Sequence, residues 1–118
     1  MKKRILSTVL ATLLIAAMAI PAYASQYSSW GYYNGTAYYE IVDNCYSNRF
    51  SSTTICSEYA VKSNVKAVFP KGDSRMFFGT EAYGASSTDG RVDDFVITKI
   101  ECTHFVNGVI VRTQSVGV

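Results

Sequence analysis

Cys45, Cys56, Cys102 and the single histidine, His104, are the residues of this 118-residue chain whose types could hold a metal or carry nucleophilic catalysis. Together they match the ligand count of a structural Cys₃His zinc site. Their spacing argues against one, because zinc sites draw ligands in close pairs such as C-x₂-C on tight turns. Ten residues separate Cys45 from Cys56, and Cys102 and His104 are alternate residues of one run. A Cys102–His104 dyad fares no better, since side chains at i and i+2 of a strand run parallel without hydrogen-bond reach. The reading is therefore no metal, no cofactor and no catalytic residue, with the cysteines as candidates for a disulfide. Cys45 and Cys56 would face each other if the chain reverses near Phe50-Ser51. A bridge from Cys102 to either of them would close a longer loop and is the favoured alternative.

Paired carboxylates are the other chemistry to consider. Asp93-Asp94, with Asp89 upstream, would point to opposite faces of a strand, and the stretch lacks the alternating ligands and closing Glu of an EF-hand loop. A solvated acidic turn is the simpler reading. No G-x-S-x-G, H-E-x-x-H or phosphate-cradling glycine loop follows residue 24. What remains is aromatic density: Tyr27, Tyr32, Tyr33, Tyr38 and Tyr39 surround Trp30, the only tryptophan. Rings with polar tips offer large contact area and a hydrogen bond at low entropic cost, which suits recognition. The candidate binding residues are Trp30, Tyr32, Tyr33, Tyr38 and Tyr39.

The elements that must position these residues begin after a distinct leader. Met1-Lys2-Lys3-Arg4, an apolar run over residues 5–20 and Pro21-Ala22-Tyr23-Ala24 read as a secretory signal peptide cleaved after Ala24. Residues 25–118 then form a single domain that is secreted, extracellular or periplasmic, with no stable membrane anchor. Three of the eleven basic residues belong to the leader, so eight remain against nine acidic ones, scattered from Arg49 to Arg112. That balance excludes an electrostatic footprint for nucleic acid.

Alternation of apolar and polar residues dominates the domain, and no helical period is sustained. Asn107-Gly108 between two alternating runs predicts a type I′ hairpin. That hairpin would place Val106 opposite Val109, His104 opposite Val111 and Cys102 opposite Thr113. Ile100, Cys102, His104, Val106, Val109 and Val111 then face the core, with Gln114 on the other face. Residues 61–69 read as a half-buried strand ending at Pro70-Lys71-Gly72-Asp73, followed by a strand over residues 75–83 and a loop over residues 86–90. Residues 36–42 read as a strand, preceded by a short strand at Trp30 to Tyr33 and a turn at Asn34-Gly35. The expected fold is all-β, a small antiparallel sandwich or barrel of about six strands.

The function expected is that of a non-enzymatic recognition module whose partner is an extracellular glycan, an envelope component or a protein. A signal followed by a Tyr-, Gly- and Ser-rich β domain containing Trp30-Gly31-Tyr32 resembles the layout of the secreted lactococcin-type bacteriocins. That resemblance implies an alternative role as a bacteriocin-like or toxin-like effector. Three cysteines and a longer domain depart from the pattern, and no functional residue carries over. A further alternative is a structural extracellular protein, linked as a homodimer through the unpaired cysteine.

Overall fold

The computed structural model describes residues 25–117; the leader read over residues 1–24 lies outside the described residues. Nearly all of the described chain is antiparallel strand, arranged as a nearly closed, barrel-like sheet of seven strands. The strands are β1 (Ser25–Tyr33), β2 (Ala37–Cys45), β3 (Arg49–Val68), β4 (Ser74–Phe77), β5 (Ala82–Arg91), β6 (Lys99–Val106) and β7 (Val109–Gly117). Both Asn-Gly pairs turn as their chemistry requires. Asn34 and Gly35 have φ of 53° and 74°, and Asn107 and Gly108 have 52° and 75°, the left-handed values of a hairpin whose twist matches its strands.

β3, with 20 residues, organises the molecule. Its first half pairs with β2 on one edge and β5 on the other, and its second half pairs with β6 and β4. Val61 pairs with both Ala82 of β5 and Val106 of β6, so those two strands lie on opposite edges. It follows that β2 and β6 share one edge of β3, one after the other. Between them, at Cys56 to Ala60, the register with β5 shifts, the mark of a bulge that bends a strand. The bend brings the β1–β2 pair round against β6–β7, and β1 meets β7 to nearly close the barrel.

Side-chain alternation then sorts the interior into layers. Ala37, Tyr39 and Ile41 of β2 meet Cys56, Val61 and Val106 at one end. Cys45 and Phe50 meet Val65, Ala67, Phe69, Ile100, Cys102 and Val116 at the other, where Val92 and Ile97 also pack. On the opposite face of the β2–β3–β5 wall, Val42 and Ile55 pack with Ala85. Between the two apolar ends the inward positions are polar: Asp43 on β2, Ser52, Thr54 and Ser63 on β3, His104 on β6 and Gln114 on β7.

Several expected boundaries change. Residues 86–90 are strand, because the Ser/Thr side of β5 pairs with the equally polar Ser51 to Thr54 stretch of β3. Turn-forming residue types were outweighed there by a partner edge. The chain reverses after Cys45, not near Phe50-Ser51, so Cys45 lies opposite Phe50 and Cys56 opposite Tyr39. The two cysteines therefore sit at different ends of the barrel. In the last hairpin Val106 does face Val109, but a bulge after His104 puts Arg112 opposite His104 and Gln114 opposite Cys102. That one-residue slip turns Gln114 and Val116 inward; Val109, expected on the core face, keeps its register beside the turn yet is exposed.

Candidate functional site

Two groups of side chains have the composition of a site, one inside the barrel and one outside. The inner group centres on Asp43, the odd member of an otherwise apolar inward row on β2. His104 Nε2 donates to Asp43 Oδ2 at 2.8 Å, Gln114 Nε2 donates to the same oxygen at 2.6 Å, and Ser52 Oγ donates to Oδ1 at 2.6 Å. His104 Nδ1 lies 2.7 Å from Thr54 Oγ1, which is itself 2.7 Å from Ser63 Oγ. The chain continues outward from Gln114, whose Oε1 accepts from Ser29 Oγ of β1 at 2.7 Å. Thr54 Oγ1 also donates to the Lys62 carbonyl at 3.2 Å, so the layer is tied to the β3 backbone as well as to its side chains.

Asp, His and a hydroxyl in series is the order of a nucleophilic triad. In this barrel Asp43, His104, Thr54 and Ser63 are all buried. The network pairs buried polar groups across strands, and a satisfied network of this kind fixes register and orientation.

Asp43, Cys102 and His104 also place an oxygen, a sulfur and a nitrogen within 4.8 Å of one another, a donor set that suits zinc. The Asp43–His104 bond occupies two of those donors, so a metal would have to displace it. Of the four residues weighed for a Cys₃His site, Cys56 stands in the opposite apolar cluster. All three cysteines are buried and carry free thiols in this structure, where the sequence favoured a bridge. Burial pushes the Cys45 thiol up to about 12, against the opposing pull of a hydrogen bond from the Ile100 backbone. Burial, reinforced by the Asp43 carboxylate, raises Cys102 further.

The outer group comes from the aromatic stretch. In β1 and β2, Trp30 pairs with Glu40 and Tyr32 with Tyr38, so all four side chains share the outward face. Trp30 is 59% exposed, and its ring lies 5.9 Å from those of Tyr32 and Tyr38, which are 5.5 Å from each other. The Tyr38 hydroxyl donates to Glu40 Oε1 at 2.8 Å, holding one ring of the group. The other two candidate residues turn inward, as alternation along a strand dictates. Tyr39 is buried and lies over Gly31, while Tyr33 packs edge-on against Tyr59 at 5.1 Å. The five proposed binding residues thus divide into three on the surface and two turned toward the core.

Asp93 and Asp94 lie in the β5–β6 loop and pair with separate arginines, Asp93 with Arg91 at 2.8 Å and Asp94 with Arg75 at 3.3 Å. They flank a groove of about 610 Å³ at the Cys45 end of the barrel, lined also by Pro70, Phe95 and Val96.

Sequence reasoning missed Asp43, Ser52, Thr54, Ser63 and Gln114. Asp43 left a signal, since strict alternation from Ala37 through Cys45 aims it inward with no partner in its own strand. Gln114 left none, because its side depends on the bulge. No family model matches the chain, and no characterised protein or solved structure does.

Proposed function

We propose that this is a secreted, non-enzymatic β module that recognises carbohydrate through Trp30, Tyr32 and Tyr38. The observation that carries the reading is the three-ring group on the outer face of β1–β2, with Trp30 and Tyr32 exposed and Tyr38 half-buried, built around the chain's only tryptophan. A large ring exposed on a regular strand face, as Trp30 is, forgoes part of the free energy its burial would bring. A sugar ring laid on such a surface recovers part of that, its C–H face against the indole and its hydroxyls against polar tips. Glu40, by accepting from Tyr38, fixes one ring in advance, so less side-chain freedom is lost on binding. The burial of the barrel's Asp–His–hydroxyl series supports a non-enzymatic role.

Because Trp30 is the sole tryptophan, its fluorescence reports the site directly. Titration of the protein with soluble chitin, cellulose and peptidoglycan oligosaccharides should shift or quench that emission with at least one of them. Trp30→Ala, followed by glycan-array binding and far-UV circular dichroism, should lower affinity at least tenfold with the β spectrum intact. Binding unchanged in a folded Trp30→Ala protein, or no response across the panel, overturns the reading. Growth inhibition of related bacteria by the purified protein, with no glycan bound, would favour the effector role instead.

A further inference from the structure

Cysteine placement in the folded barrel discriminates among the three bridges that the sequence leaves open. Cys45 ends β2 and Cys102 lies within β6, the two strands that succeed each other along one edge of β3 and are folded together by its bend. The contacts across that fold are reciprocal. Cys45 packs in one apolar cluster with Ile100, two residues before Cys102, whose backbone opposes the effect of burial on the Cys45 thiol. The Cys102 sulfur lies within 4.8 Å of an oxygen of Asp43, two residues before Cys45. Both cysteines are fully buried in the same apolar cluster, with Phe50, Val65 and Ile100 among its members. Cys56 is in the other cluster, beyond the Asp43–His104 layer, against Tyr39 and Val61.

We propose that Cys45 and Cys102 form a disulfide that ties β2 to β6 inside the barrel, leaving Cys56 as a sealed thiol. Cys45–Cys56 is excluded by register, since Cys56 stands opposite Tyr39 and Cys45 lies at the far end of the same β2–β3 ladder, opposite Phe50. Cys56–Cys102 would have to cross the polar layer. The chemistry is thiol–disulfide exchange with a low-molecular-weight or protein disulfide as oxidant. One thiolate attacks the oxidant to give a mixed disulfide and releases one thiol. The second cysteine then displaces the other thiol, so two protein thiols lose two hydrogens and the oxidant is reduced to two thiols. Neither sulfur is reachable once the barrel has closed, so the exchange belongs to folding, before β6 docks against β2.

The test is folding of the full chain from the reduced, denatured state in a glutathione redox buffer. Alkylation in denaturant without reduction, then trypsin digestion and mass spectrometry, reads the outcome. Cleavage after Arg49, Lys62, Lys99 and Arg112 puts each cysteine on its own peptide. The expected result is a linked pair of the Cys45 and Cys102 peptides, with the alkyl group on Cys56. Cys56→Ser should leave that link in place. A link involving Cys56, or three alkylated cysteines after folding in the oxidising buffer, overturns the proposal. So does a folded protein that retains one zinc ion with all three thiols free, since that would assign Cys102 to a metal with Asp43 and His104.

Discussion

Asp43 accepts hydrogen bonds from three side chains contributed by three different strands, and each of those partners is buried with it. Burying a carboxylate is costly unless its lone pairs are used, and breaking such a cluster by deleting one member leaves the others unpaired. Asp43→Ala should therefore cost about 3–5 kcal/mol of stability, measured by urea denaturation. Asp43→Asn, which keeps the shape and some acceptor capacity, should cost less. A loss below about 1 kcal/mol for Asp43→Ala would mean that His104 and Gln114 find other partners and that the network does not hold the strands in register. A simpler rule governs the aromatic residues: Trp30 and Tyr39 belong to one hairpin and lie on opposite faces because strand period is two.

Pairs of elements are fixed by small local devices. β1 approaches β2 closely because Gly31, opposite Tyr39, has no side chain: a Cβ there would stand 2.5 Å from the Tyr39 hydroxyl oxygen and 2.7 Å from its Cζ. Gly31→Ala should destabilise by about 1–3 kcal/mol through overpacking, seen as a lower urea midpoint. If the midpoint is unchanged, the Tyr39 ring has somewhere else to go and does not seal that end of the barrel. The bulge between His104 and Phe105 is the corresponding device at the other hairpin. By slipping β7 one residue it exchanges the expected inward Thr113 for Gln114, the side chain that links Asp43 to Ser29 of β1. Barrel closure between β1 and β7 thus depends on one extra residue in a strand.

For the molecule as a whole, redox state and pH act on the same pair of thiols. In the reduced protein, folding raises the Cys45 thiol from its ordinary 9.0 up to about 12, chiefly by burial, and raises Cys102 for the same reason. Above the ordinary thiol value the unfolded chain releases protons that the folded one keeps, so stability is full below that range and falls as pH rises through it. The slope should approach about 1.4 kcal/mol per pH unit for each such thiol. Urea unfolding of reduced protein from mildly alkaline pH to well above the ordinary thiol range should show that decline, and the disulfide form should lack it. A bridge from Cys45 to Cys102 closes a loop of more than fifty residues, which the chain-entropy argument values at about 4 kcal/mol. Equal stability of the oxidised and reduced forms near neutral pH would contradict that constraint.

Alternation, turn chemistry and composition were enough, in the linear sequence, to make this an all-β antiparallel domain with Asn-Gly hairpins at residues 34–35 and 107–108. They also set Ile100, Cys102, His104 and Val106 on the core face, because a strand of period two leaves no other choice once one face is buried. The same rule, applied to the aromatic stretch, would have separated Trp30, Tyr32 and Tyr38 from Tyr33 and Tyr39. What the fold alone decided is everything that rests on contacts between distant segments. The bend of β3 at Cys56 to Ala60 puts β2 and β6 side by side, and the bulge after His104 turns Gln114 inward. Only their combination gathers Asp43, Ser52, Thr54, His104 and Gln114 into one buried layer and brings Cys45 and Cys102 into one apolar cluster. Register slips and strand bends are chosen by the packing of the whole barrel, and local residue types carry no record of them.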